Sequence, residues 1–287
     1  MASSTASKWL IGCGVGCLFV GLVVVAIATG GVMFFRDTLK GFDAAVEARA
    51  DLEQRFGKQW EFTPWPNGEI PADRIERFIG VRDGTAEARR QIADKFAAIP
   101  MSESEAQELD SKPTGEKALS IFKIVGSALG LGAELGDFFE ARNNSLLERE
   151  MGMGEYTYLY VVTYYSWLGH SAGDGPQTGR DQDGSIDVEI EHVQSERRMH
   201  DDLVSMLRNQ LEQDSTSTTD EWVALLTTEI DAMERDSRRS PWQEGLPPAM
   251  LESLEPYRDR LVDSYDPISN AFELVINKKD GWSITAD

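Results

Sequence analysis

Cysteine is almost missing from this 287-residue chain: Cys13 and Cys17 are the only two, and both lie in the first twenty residues. The rest of the chain therefore has no disulfide, no zinc knuckle and no cysteine nucleophile. Histidine is nearly as scarce, with His170, His192 and His200 the only three. Positive charge is short as well, since 28 lysines and arginines face 49 aspartates and glutamates, for a net charge of -21. Lys8 is the one basic residue before Arg36, and no acid precedes it, so the acidity belongs to the chain from Arg36 onward. Such a surface repels nucleic acid and anionic lipid head groups, which argues against a nucleic-acid binder. There is no phosphate-binding glycine loop and no His-Glu-x-x-His pair. Strand-like alternation is rare too, with Phe272 to Ile276 one short example.

What is present begins with Trp9 to Phe35, 27 residues without a charge. A membrane-spanning helix needs roughly 20. Lys8 and Trp9 mark one interface, and Phe34, Phe35 and Arg36 mark the other. Ala26 to Gly31 offers a cleavage-like stretch, but the apolar run continues past it, which favours an uncleaved anchor over a signal peptide. Leu10-Ile-Gly-Cys13 has the look of a lipoprotein box, yet its apolar region follows the cysteine instead of preceding it. Gly12 and Gly16 form a Gly-x-x-x-Gly pair that suits close approach of two membrane helices, and hence self-association. Arg36, Lys40 and Arg49 against Lys8 lean toward a cytoplasmic C-terminal part. A short tail leading at once into a span instead favours export of the C-terminal part.

The remainder predicts helices. After the tail at 1–8 and the span at 9–35, residues 36–61 form a helical stalk, with Leu39, Phe42, Val46, Arg49, Leu52 and Phe56 at helical spacing. A helical domain over 62–276 comes next, opened by the turn Phe62-Thr-Pro-Trp-Pro-Asn-Gly68, with a flexible linker at 170–185 and a frayed tail at 277–287. Pro71 suits a first helical position ahead of one apolar face running from Asp73 to Ala98. Ser102 to Glu105 has capping-box spacing, and Pro113 marks a second break. Glu116 to Leu147 is the most apolar stretch of the domain and is expected as its buried central helix. Amphipathic patterns continue over Glu191 to Leu211, Thr219 to Met233 and Pro247 to Tyr265. The fold class expected is all-α, a transmembrane helix followed by an acidic multi-helix domain.

The segments FTPWPNGEIPADRIERFIGVRD, MGMGEYTYLYVVTYYSWLG, DLVSMLRNQL and YRDRLVDSYDPISNAFEL, with the opening KWLIGCGVGC, resemble those of uncharacterised bacterial single-pass membrane proteins with an N-terminal anchor and a helical domain. The resemblance implies an anchor and helices, and it carries no activity, cofactor or site residue.

Four constellations bear on chemistry. Gly169-His-Ser-Ala-Gly173 matches Gly-x-Ser-x-Gly, which would make Ser171 the nucleophile of a serine hydrolase. That elbow needs a strand before the serine and a helix straight after it. Glu155 to Leu168 is too long for a usual strand and also traces a helical face, so Gly169 is expected as a helix C-cap. Asp181, Asp183 and Asp187 with Gly184 resemble the middle of a calcium loop, but Gly179 and Ile190 occupy its first and last ligand positions. A solvated acidic linker is the simpler reading. Glu189, His192, Glu196 and His200 form one stripe, but a di-iron bundle needs a second Glu-x-x-His. Exposed helix residues are expected there. Six tryptophans beyond the anchor and tyrosines at 156–165 suit core packing, or an apolar groove for a lipid, a peptide or a partner helix. The function expected is a membrane-anchored envelope protein, single-pass in the cell membrane, with a binding or scaffolding domain facing out. Its partner is another envelope protein or a lipid or peptide ligand, and no cofactor is implied. A serine hydrolase at Ser171 and a calcium module at Asp181 to Asp187 are the alternatives.

Overall fold

The computed structural model describes residues 44–97, 131–171, 186–213 and 218–274, and every regular element among them is helical. No described helix is long and apolar enough to cross a membrane. The apolar run Trp9 to Phe35, with Gly12 and Gly16, lies outside the described residues, as do Ser102 to Glu105 and Pro113.

The first helix, α1, covers 44–56 and ends where Gly57 takes a φ of +80°. Ala45, Ala48 and Leu52 are buried at helical spacing, with Arg49 on the same stripe. The described part of the expected stalk, 44–61, therefore includes residues packed into the domain. Two short 3-10 turns, Gln59–Glu61 and Pro66–Gly68, carry the chain to α2, Ala72–Gly84, with Pro71 one position outside it. The apolar face expected from Asp73 to Ala98 is divided between two helices as far as Ala97, the last described residue of this stretch. At Thr85 the hydroxyl bonds back to the Val81 and Arg82 carbonyls, and α3, Ala86–Ala97, leaves as a separate element.

Helix α4 is Leu131–Glu148. Helix α5 starts at Met153–Tyr160 and continues without a break as a π-helix over Val161–Trp167. Every residue from Met153 to Tyr165 is buried, so this element is the axis of the described domain; of the 116–147 stretch expected as the central helix, 116–130 lie outside the described residues and the rest belongs to α4. Its core rings and aliphatics include Tyr156, Tyr158, Leu159, Tyr160, Val161 and Tyr164, packed with Phe78, Leu207, Leu226 and Trp242. Burying a large apolar side chain contributes about 1.5–3 kcal/mol each, which makes α5 the main apolar anchor.

The long helix α6, Ile186–Glu212, lies against α7, Asp220–Arg235. Thr219 caps α7 by accepting from the Trp222 amide at 3.2 Å. Three short helices close the domain: α8, Pro248–Leu254; α9, Arg258–Ser264, joined to it by a 3-10 turn; and α10, Pro267–Glu273. The strand-like pattern of Phe272 to Ile276 is a correction, since its described part is helical. Asp266 accepts from the Ile268 amide and Pro267 presets the first turn, which together start a helix. Helix α10 packs on α3, and its Ile268 and Phe272 lie against a second, smaller core of Ala45, Ile92, Phe138 and Phe139.

Candidate functional site

Helices pack through apolar stripes, yet in this domain four arginines sit on those stripes: Arg49 of α1 and three that bear on one site. In α2, Ile75, Phe78 and Ile79 are followed one turn on by Arg82, which has no exposed surface. Arg89 of α3 and Arg142 of α4 are 6% and 1% exposed. A buried cation demands a counter-charge and acceptors for its donors. Glu273 of α10, itself fully buried, supplies the counter-charge by pairing with Arg82.

The geometry around this pair is closely satisfied. Arg82 donates to the Tyr156 hydroxyl at 3.1 Å and to the Ser264 carbonyl at 2.8 Å. Tyr156 in turn donates to the other Glu273 oxygen at 2.7 Å, and Ser269 adds a bond to the first at 3.2 Å. Arg89 donates to the carbonyls of Ser264 and Arg82, both at 2.7 Å. Arg142 holds the Glu273 backbone carbonyl at 2.6 Å. The Arg82 guanidinium also lies 5.2 Å from the Tyr160 ring centre and 5.5 Å from that of Tyr164. Beside it, Tyr160 and Tyr165 donate to the same Asn270 oxygen at 2.9 and 3.0 Å. The π-helix explains that sharing. Its i→i+5 bonding widens the turn, so two tyrosines five apart face one side chain.

The electrostatics keep these charges in place. Burial works against the Glu273 carboxylate, but Arg82 and Arg89, with bonds from Tyr156 and Arg82, outweigh it and hold its pKa below the ordinary value. Burial lowers Arg89, with repulsion from Arg82 adding to it, and burial pulls Arg142 down to about 10. Burial, then Glu273, pushes the Tyr156 hydroxyl up. A general acid or base works best with a pKa near the operating pH. Glu273 and Tyr156 are moved away from neutrality, and the lowered Arg142 still titrates well above it, so the cluster holds a carboxylate and is poorly suited to passing protons.

A second set of pairs flanks it. Arg74 of α2 pairs with both oxygens of Glu155 in α5 and donates to the Glu150 carbonyl at 3.0 Å. Burial raises the Glu155 pKa while the Arg74 contact pulls the other way. Close by, an open cavity of about 390 Å³ is lined by Glu76, Arg77, Glu148, Arg149 and Glu150. Its lining is charged, while the tyrosines at 156–165 lie in the core, the first of the two readings of the aromatic content.

The sequence-predicted sites fall elsewhere. Ser171 is exposed and lies just beyond a helix end, where Gly169 has a φ of +74° and the His170 amide bonds the Tyr164 carbonyl. The strand an elbow requires is replaced by the π-helix. The Ser171 carbonyl accepts from Asn270 at 3.1 Å, and the His170 ring stacks on Tyr265 with centroids 3.6 Å apart. His200, expected on an exposed face, is a correction: it is 6% exposed and its Nε2 meets the Met233 carbonyl at 3.0 Å, across the α6–α7 contact. Asp181 and Asp183 lie outside the described residues, and Asp187, Glu189, His192 and Glu196 belong to α6. Among the described residues no three His, Cys, Asp or Glu side chains are grouped to hold a metal.

No motif signals Arg82, Arg89, Arg142, Asn270 or Glu273. The signal for the arginines is a charge placed on an apolar stripe. The chain matches no known family model, no curated protein and no solved structure.

Proposed function

We propose that this chain is a single-pass membrane protein of the bacterial cell envelope, with an acidic helical domain that binds or scaffolds a partner and does no chemistry of its own. The observation that carries the reading is the uncharged run from Trp9 to Phe35, long enough to span a bilayer and bounded by Lys8 and Arg36. The domain behind it supports the binding half of the reading. Its most elaborate polar site holds a carboxylate between arginines with shifted, static charges. In this reading the domain faces out of the cell, and Gly12 and Gly16 bring two anchors together.

The test is extraction. Membranes carrying the 287-residue chain are washed with alkaline carbonate, beside a variant lacking residues 1–36. The full chain stays in the pellet and the shortened one is released. Release of the full chain would overturn the anchor.

A further inference from the structure

Helix α10 is an unusual closing element. Three of its seven residues, Ser269, Asn270 and Glu273, are buried polar side chains. Among its described side chains the apolar contacts are Ile268 and Phe272, both only partly buried, with the partly buried Leu274 following on the main core. The site it fills is built entirely by other elements: Arg82 from α2, Arg89 from α3, Arg142 from α4 and the tyrosines from α5. Those residues are held in place without α10. Arg89 donates to the Arg82 carbonyl, the Tyr160 and Tyr164 rings flank the Arg82 guanidinium, and Arg142 bonds Asn143, which is itself tied to the Ala45 carbonyl.

The site also has more positive charge and more donors than α10 uses. Arg82 pairs with the one carboxylate while Arg89 and Arg142 bond backbone carbonyls beside it, and the Nε–H groups of Arg82 and Arg89 are buried with no acceptor among the described residues. A buried ion pair adds little net stability, because both charges regain hydration when they separate. A segment held by that pair and a set of polar bonds, with little apolar contact of its own, is therefore the one that opens first, while the apolar axis of α5 stays closed.

We propose that this interior is a carboxylate receptor for a helical peptide, that Pro267–Glu273 is its built-in ligand, and that a glutamate-bearing helical segment of a partner protein takes its place by displacing α10. The inference rests on the reading of the domain as a binding module and names the chemistry it binds. An attached ligand competes at the high effective concentration its short tether gives it. Free peptide consequently binds the intact chain weakly. Weakening the tethered copy, with the receptor untouched, unmasks the site.

The probe is a fluorescein-labelled peptide of residues 266–274, DPISNAFEL, and a control in which its glutamate is glutamine. Fluorescence anisotropy is read on the full chain in detergent. Glu273→Gln in the chain raises affinity for the glutamate peptide at least 10-fold over wild type. The glutamine peptide gains nothing, and adding Arg82→Met removes the binding. In parallel, hydrogen exchange of the unmodified chain shows α10 amides exchanging at least 10-fold faster than those of α5. No gain in the Glu273→Gln chain, or equal affinity for both peptides, would overturn the proposal. So would exchange of α10 in step with α5, or global unfolding of the Glu273→Gln chain, because α10 would then be integral to the domain. Failure here leaves carbonate extraction of the anchor unaffected, and release from the membrane leaves peptide affinity unaffected, so the two readings fail separately.

Discussion

At the scale of single residues, what the sequence hides is a charge written in an apolar position. Ile75, Phe78, Ile79 and Arg82 fall at i, i+3, i+4 and i+7, and Phe138, Phe139, Arg142 and Leu146 share one stripe of their own helix. Spacing alone puts both arginines on the core face, but a lone arginine is normally an exposed one. Their burial depends on Glu273, 191 residues from Arg82 in the chain, which no local pattern points to. The pair gives a pH signature. Replacing Glu273 with glutamine keeps the shape and removes the charge, at a cost of ~1.5–3 kcal/mol near neutral pH, the range for hydrogen bonds to charged groups. Because the folded-state pKa of Glu273 lies below its ordinary 4.5, its contribution is fully present above that value and is lost as pH falls through the depressed one. Thermal unfolding of wild type and Glu273→Gln from pH 8 to pH 3 therefore shows a gap that is constant down to about 4.5 and then closes. A gap that persists at the acid end would mean that the carboxylate's charge is not what stabilises the site.

Elements are easier to read in kind than in extent. Amphipathic spacing identifies α2, α6 and α7, and the pattern read from Thr219 opens on the residue that caps α7. The breaks at Thr85 and at Glu255–Tyr257 escape notice although Gly84 and Pro256 stand there, because a helical pattern tolerates an isolated glycine. Thr85 bends the chain through its own hydroxyl, and Pro256 falls in the first turn of a 3-10 segment that helices can absorb. The π-helix is equally silent in sequence, because its wider turn is selected by what Tyr160 and Tyr165 share across the core. Close packing of α5 against the 3-10 turn after α1 makes a prediction at this scale. A Cβ on Gly154 would lie 2.2 Å from the Gln59 carbonyl oxygen and 2.6 Å from Phe62 Cβ. Backbone cannot swing aside as a long side chain does, so Gly154→Ala costs about 1–3 kcal/mol, the range for overpacking a tight core. Urea denaturation checks it: the midpoint drops while the slope stays the same. An unchanged midpoint would show that α5 and the turn can part without loss.

At the scale of the whole molecule, two regions divide the chemistry. One is uncharged for 27 residues and holds both cysteines; the other carries all 49 acids and no cysteine. Composition makes that division legible, and it makes the all-helical class legible because strand patterns are scarce. Composition has no bearing on which face of a membrane the domain occupies. Basic-residue counting and signal-anchor layout point opposite ways, and the proposal favours export because long domains translocate largely regardless of charge. The cysteine distribution supplies a clean way to test that. A reporter enzyme that folds only with its own disulfides becomes active outside the cytoplasm and stays inactive inside it. Fused after Leu274, it meets no competing thiol in the domain, since Cys13 and Cys17 lie within the proposed span. Export therefore predicts an active reporter in a bacterial host. A thiol-independent reporter that fluoresces only in the cytoplasm, fused at the same residue, stays dark. The reverse pair of results would place the acidic domain inside the cell, and with it any partner segment that competes for Arg82.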